Sequence, residues 1–252
     1  MPASIRWIFA SLPEESLSDF AARLRVSKPV ATLLWQRGYR DTESAEAFLR
    51  PSFSRLHDPF EFRDMRAAVD RIAKAIRDRE RILLYGDYDV DGTTSIAVLS
   101  ATLRLLGAEP AYHIPHRLRD GYGIHADVIE REAALGTRLI ISVDTGIRAA
   151  EEVLLAQRLG IDMIVTDHHL PDGQLPPACA VLNPNRHDST YPERLLCGVG
   201  VTFKLVQGLL KESGWPTNKQ DRLLTSLLKL VAIGTIADVV PLTGENRTLV
   251  RL

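Results

Sequence analysis

The chain has 252 residues, a formal net charge of −1 and 45% hydrophobic residues. That is enough for a sizeable core and one or two domains. Near-neutral charge argues against a broadly basic nucleic-acid coat, though not against a local basic groove. The two cysteines, Cys179 and Cys197, lack Cys-x-x-Cys spacing and fit buried thiols in a reducing compartment better than a disulfide. The run Trp7-Ile8-Phe9-Ala10 is too short for a signal sequence, and no later run is long enough for a membrane span, so the expected location is the cytoplasm.

Residues 1 to about 63 read as a small helical appendage. One short helix starts near Ser27-Lys28-Pro29 and runs through Trp35; another spans Thr42 to Leu49 and stops at Pro51. Residues 52–62 are irregular, and His57 reads as a loop side chain. From Met65 to Arg79, the residues Ala68, Val69, Ile72, Ala73 and Ile76 form one apolar stripe on a charged helix.

Strand and helix then alternate. The strand candidates are Ile82–Tyr85, Ala111–Ile114, Arg138–Val143, Met163–Thr166 and Ala180–Leu182; helices are predicted over 93–106, 125–134 and 146–159. Strands that are apolar throughout, separated by amphipathic helices, predict an α/β fold with a mostly parallel sheet covered on both faces. After Pro184 come a helix from Gly198 through Leu210, a turn at 215–218, and a nearly all-apolar helix from Asp221 to Ile236 that is expected to be deeply buried. The final Leu249-Val250-Arg251-Leu252 resumes an apolar pattern with no stop signal, as if the chain continued in a longer protein.

Asp87, Asp89 and Asp91 stand at alternate positions where the first strand ends and a helix begins. In an open α/β sheet this is the edge where ligands bind. Read as extended, the three carboxylates share one face and repel, which calls for something positive among them. One such Asp is readily a helix N-cap; three suit a hard divalent cation. Asp144 ends another strand and Asp167-His168-His169 a third, so parallel pairing brings them to the same edge. Adjacent histidines point apart, so one can bind a metal while the other faces a substrate. Imidazole among carboxylates suits Mn²⁺ better than Mg²⁺.

Asp238 is flanked by apolar sequence, where a carboxylate is costly to bury unless it is paired or metal-bound. Lys229 and Arg247 are the nearest bases in sequence, and neither is obviously placed to pair with it. A shell of Asp89, Asp91, Asp144, His168 and Asp238 exceeds the needs of one ion and suits two, spaced by about 3.5–4 Å for in-line attack on phosphorus. The segment 114–123 belongs to the same edge. It offers Arg117 for phosphate, Gly121 and Gly123 for close backbone approach, and Tyr122 for base stacking; a plain surface loop is the alternative.

Asp87-Tyr-Asp89-Val-Asp91-Gly, Val143-Asp144-Thr145-Gly146, Asp167-His168-His169 and the Gly234–Leu242 segment resemble, in order, the four motifs of the DHH phosphoesterases. The likeness is closest to the family's single-strand-specific 5′→3′ DNA exonucleases, and extends to Trp7, to residues 33–38 and to Gly198–Leu205. It implies a five-stranded parallel sheet and two Mn²⁺ or Mg²⁺ ions on Asp89, Asp91, Asp144, His168 and Asp238, with Asp87 as a ligand or close support. It implies that His169 contacts the scissile phosphate and Arg117 the 5′-terminal phosphate. The implied activity releases mononucleotides from single-stranded DNA in repair and recombination, with Asp144, His168 and His169 at the reacting centre. A single-strand-binding protein and a helicase are partners by the same likeness.

The residues from 64 onward would be the DHH domain. The family pattern adds a later substrate-binding domain with a Gly-Gly-His segment and an OB-fold, neither visible here, so the 252 residues alone are expected to bind metal and to degrade DNA weakly or not at all. Relatives that hydrolyse short oligonucleotides, cyclic dinucleotides or polyphosphate usually have His where this chain has Tyr85. A non-catalytic DNA-binding scaffold would be expected to have lost carboxylates, and none is lost.

Overall fold

In the computed structural model, residues 14–252 are described; Trp7 and the Trp7–Ala10 run lie outside the described residues. The chain forms two compact units, Met1–Phe53 and Ser54–Leu252. The division falls after Phe53, not at about 63. Residues 54–63 belong with the sheet unit for a physical reason. Phe62 stacks on Tyr191 with ring centroids 3.8 Å apart, and Asp58 accepts from Lys211 Nζ at 2.7 Å.

The first unit has three helices, α1 (Glu14–Leu24), α2 (Lys28–Gln36) and α3 (Thr42–Leu49). Pro29 lies in the first turn of α2, where its missing N–H costs nothing. Asp41 caps α3 by accepting from Ser44 N at 2.8 Å. Leu17, Phe20, Leu24, Ala31, Leu34 and Ala45 close its core, with Phe20 edge-on to Trp35.

The second unit opens with α4 (Met65–Arg77), then β1 (Arg81–Gly86), α5 (Val90–Leu105), β2 (Ala111–His113), α6 (Ala126–Ala134), β3 (Thr137–Val143), α7 (Ala150–Arg158), β4 (Asp162–Thr166) and β5 (Ala180–Leu182). It closes with α8 (Gly198–Glu212), α9 (Thr217–Ala237) and α10 (Gly244–Arg251). All five strands are parallel, in the order β2-β1-β3-β4-β5. The mostly parallel five-stranded sheet expected from the sequence is present. Alternation along the strands divides the core. Leu83, Tyr85, Ile140 and Met163 face α6 and α7 through Val128, Ile129, Val153 and Ala156. Ile82, Leu84, Leu139 and Ile141 face the other way, toward the side covered by α4, α5 and α8.

Two burial expectations are corrected. Helix α9 is not deeply buried: Ile233 is 53% and Ile236 56% exposed. It is the outer helix of its layer and buries only the face carrying Leu224, Leu227, Leu228, Val231, Gly234 and Thr235. Cys197 is buried, but Cys179 is exposed, in the loop just before β5. No described helix is long and apolar enough to cross a membrane.

Candidate metal centre

The turn from β1 to α5 is too tight for a side chain at its centre. A Cβ on Gly92 would lie 2.6 Å from the Asp87 carbonyl oxygen and 2.7 Å from its nitrogen. The three aspartates are therefore not an extended face; they leave a turn in different directions. Asp89 is the N-cap of α5 and accepts from Gly92 N at 2.9 Å. Asp91, 1% exposed, lies within the helix and reaches the start of α8. There Gly198 N donates to Asp91 Oδ2 at 2.5 Å and Val199 N to Oδ1 at 2.8 Å. Helix α8 has no side-chain cap of its own, so Asp91 caps it from a distant part of the chain.

Asp144 follows β3 with φ +60, a left-handed conformation that non-glycine residues seldom take. Its amide donates to Thr166 O at 2.9 Å, which holds the residue against the end of β4. Gly198 lets α8 come close: a Cβ there would meet Asp144 Oδ1 at 2.5 Å. His168 completes the meeting. Its Nε2 stands 3.3 Å from Asp144 Oδ1, 3.7 Å from Asp238 Oδ2 and 3.8 Å from Asp91 Oδ2. Potential ligand atoms of Asp87, Asp89 and Asp144 lie within 4.8 Å of one another; the same holds for Asp91, His168 and Asp238, and for Asp144, His168 and His169. The structure thus brings together every acidic and imidazole group singled out in the sequence. Asp238 does so from the C-terminus of α9, where its side chain keeps 21% exposure, and Val239 beside it points outward.

The sequence reading gave Asp167 no role, and it has a clear one. Its Oδ1 accepts from His168 N at 2.7 Å and His169 N at 3.0 Å and meets His169 Nδ1 at 2.7 Å, while Oδ2 accepts from Ile147 N at 2.9 Å. Burial pushes this carboxyl up, but the hydrogen bonds from His169 and Ile147 outweigh it and hold it below the usual range. In return, the bond to Asp167 raises the pKa of His169. An Asp two residues before a histidine was the available signal. The cap on α8 left no such trace, because its partners are 107 and 108 positions apart.

Arg117 lies outside these groups. It is exposed, with its guanidinium 5.1 Å above the Tyr88 ring. Tyr122 approaches His169, its hydroxyl 3.4 Å from Nδ1. Gly121 and Gly123 flank it at φ +82 and +105, so the loop turns sharply at both.

Asp87, Asp91, Asp144 and Asp238 all have raised pKa values, in each case first because burial disfavours the anion; Asp91 is pushed up to about 6. Among the described residues, none of the four forms an ion pair with Lys or Arg. Asp87 Oδ1, Asp144 Oδ1 and His168 Nε2 are buried with no hydrogen-bond partner. Buried polar atoms are seldom left so. Hard oxygen donors gathered with an imidazole nitrogen fit a divalent metal ion.

Residues 81–235 match the DHH family, N-terminal domain. The chain is 41% identical over 252 residues to the single-stranded-DNA-specific exonuclease RecJ of Bacillus subtilis, covering 100% of this chain and 31% of that one. It is 35% identical over 248 residues to RecJ of Thermus thermophilus, covering 98% of this chain and 34% of that one. The crystal structure of RecJ from Thermus thermophilus in complex with Mn²⁺ aligns with a TM-score of 0.78 at 31% identity, over 96% of this chain and 33% of that chain. The chain therefore spans about a third of the length of these curated relatives. By sequence match, five-stranded parallel sheet and gathered motifs together, the chain belongs to the DHH family.

Proposed function

We propose that the chain carries the reacting centre of a metal-dependent, single-strand-specific 5′→3′ DNA exonuclease. The observation that supports this most is the orphaned trio of Asp87 Oδ1, Asp144 Oδ1 and His168 Nε2, buried among carboxylates that form no ion pair with Lys or Arg among the described residues. RecJ relatives are described as single-strand-specific exonucleases, and their crystal structures hold Mn²⁺ or Mg²⁺. They are about three times as long, so substrate, direction and biological role are part of the proposal.

Asp87, Asp89, Asp91, Asp144, His168 and Asp238 would hold two divalent ions; Asp144 belongs to two of the three candidate ligand groups. Such ions supply a water made acidic enough to attack and a clamp on the phosphate oxygens. The chain's own groups do the rest. The backbone N–H groups of α8 fix Asp91, leaving each of its oxygens a further lone pair. Asp167 holds His169 Nδ1, which leaves Nε2 for the scissile phosphate. Arg117, exposed on its loop, offers a planar fork to a 5′-terminal phosphate. A single-strand-binding protein and a helicase are partners within the same reading.

Against an oligonucleotide or cyclic-dinucleotide hydrolase stands Tyr85. It fills the position where those relatives carry His, and it is fully buried in apolar packing, with its hydroxyl donating to Gly123 O at 3.0 Å.

Calorimetry with Mn²⁺ tests the proposal together with hydrolysis of labelled single strands. The expected outcome is saturable uptake of two ions by the native chain. Asp144→Ala should lower affinity by more than about a hundredfold, beyond what loss of a supporting group costs, and abolish hydrolysis in the full-length protein without unfolding it. Unchanged hydrolysis in that variant would remove Asp144 from the mechanism.

A further inference from the structure

Beside His169 is a cavity of about 410 Å³ that none of the proposed metal-holding residues lines. Its walls are Tyr122, Thr145, Arg148 and Glu152, with Ile124 and Ile147 beneath and Asp167 and His169 at the edge shared with the metal centre. Pockets of 300–1,000 Å³ with an apolar base and a few polar groups are typical small-molecule sites.

Three features define what would fit. Thr145 is 1% exposed and lines the cavity, and no hydrogen bond closes on its Oγ1; the Tyr122 hydroxyl approaches without the geometry of a bond. An unsatisfied buried hydroxyl is a specific invitation to a polar partner. Tyr122 is half-exposed, offering a ring face for stacking. Arg148, by contrast, is already committed to Leu170 O and to Asp172 at 2.9 Å, and Glu152 brings negative charge to the wall. The interior is therefore poor for a bare anion and good for a flat, mostly uncharged group with hydrogen-bonding edges. It is also larger than one phosphate.

We propose that this cavity is a nucleoside subsite: it receives the base and sugar joined to the phosphate held at His169. The proposal rests on the nuclease reading and deepens it. It places one nucleoside at a fixed position beside the reacting phosphate, with Thr145 and Glu152 as binding residues. The Tyr122 ring supplies stacking that any base can use, while the acceptor on Glu152 favours bases presenting N–H groups.

The test uses the isotope-labelled 252-residue chain in EDTA, titrated with thymidine, thymidine 5′-monophosphate and inorganic phosphate and followed by amide NMR shifts. Thymidine and its monophosphate should move the amides of Thr145, Gly146, Ile147 and Glu152; inorganic phosphate should not. Thr145→Val should weaken binding about two- to tenfold, the range for one hydrogen bond. Glu152→Trp, which fills the mouth, should abolish it. Mn²⁺ uptake should be unchanged in both variants. Equal binding by Glu152→Trp and the native chain, or the same amide shifts from inorganic phosphate, would overturn the subsite. Should thymidine bind here while the native chain takes up no Mn²⁺, the subsite stands and the nuclease reading falls.

Discussion

The two edges of the sheet carry the same kinds of charge in opposite arrangements. At the N-terminal ends of the strands, acids and bases alternate. Arg71 meets Glu80 at 2.7 Å and Asp162 at 2.6 Å, Lys74 reaches Glu80 at 3.0 Å, and Arg81 meets Glu132 at 3.3 Å. At the C-terminal ends, Asp87, Asp91, Asp144 and Asp238 converge on an imidazole, with no arginine or lysine paired to them among the described residues. The paired edge balances its charges within the chain, even though Arg71 Nη1 is buried there without a hydrogen bond. The other keeps its anions close together at a cost in stability, and that cost identifies it as a ligand site. A carboxylate at neither edge sharpens the point. Glu245 is as buried as Asp144, yet it has Lys204 at 3.0 Å and accepts from Tyr191 and His57 as well.

The largest expected effect comes from breaking that satisfied pair. Lys204 is fully buried on α8, its ammonium shared between Glu245 and His57 O. Lys204→Met keeps the bulk and leaves Glu245 charged and without its cation. Removing one member of a buried pair costs about 3–5 kcal/mol. Urea unfolding should register that loss while Mn²⁺ affinity stays the same, because Glu245 belongs to no ligand group. A loss under 1 kcal/mol would mean that the pair is not buried in solution.

Acidity probes the unpaired edge. Asp91 has its folded pKa raised to about 6, against an ordinary value of 3.8. A raised acid binds protons more tightly folded than unfolded, so its contribution favours the fold at low pH and is lost as pH climbs from about 4 to about 6. Two units correspond to about 3 kcal/mol from this group, an order-of-magnitude figure. Asp87, Asp144 and Asp238 act in the same direction, and so does His169, whose raised pKa favours the fold below its unfolded value near 6.5. Asp167 and Asp188 act oppositely, with pKa values held below the usual range, but their loss falls under pH 4; His113, its pKa lowered first by burial, opposes the trend up to about pH 6.5 as one group against four raised carboxyls. The metal-free chain is thus expected to melt at lower temperature at pH 7 than at pH 5, and Mn²⁺ should reverse that order. Metal-free melting that rises steadily across this interval would contradict the assignment.

Much of this edge was legible in the sequence because a parallel sheet is a simple addressing device. Apolar runs identify strands, and whatever follows their last residues meets at one rim; that argument placed Asp87, Asp144 and His168 together. What it missed depends on packing between remote segments. Nothing local to Asp91 marks it as the cap of α8, and nothing in the Asp221–Ile236 run distinguishes an inner helix from an outer one. Counting apolar residues gives α9 a buried look, whereas only neighbours on every side would bury it. The cavity beside His169 was illegible for the same reason: its walls come from the 114–123 loop, the turn after β3 and the first turn of α7.

The smallest effect concerns backbone rather than charge, and it too separates the edges. Val239 follows Asp238 at the end of α9 with φ +60, and its side chain is 85% exposed. Arg79 lies after α4 at the other edge with φ +53, also exposed. Left-handed geometry costs an L-residue about 1–2 kcal/mol, and branching at Cβ makes Val239 the worse case. Glycine removes that cost at both positions but adds freedom to the unfolded chain, worth about 0.4–1 kcal/mol. Val239→Gly should therefore raise metal-free stability by about 1 kcal/mol and Arg79→Gly by no more than a few tenths, both read from urea midpoints. Equal gains would mean that the strain beside Asp238 is ordinary helix termination. A larger gain at Val239 would locate stored strain at the metal edge, where a functional site tolerates what the rest of a fold avoids.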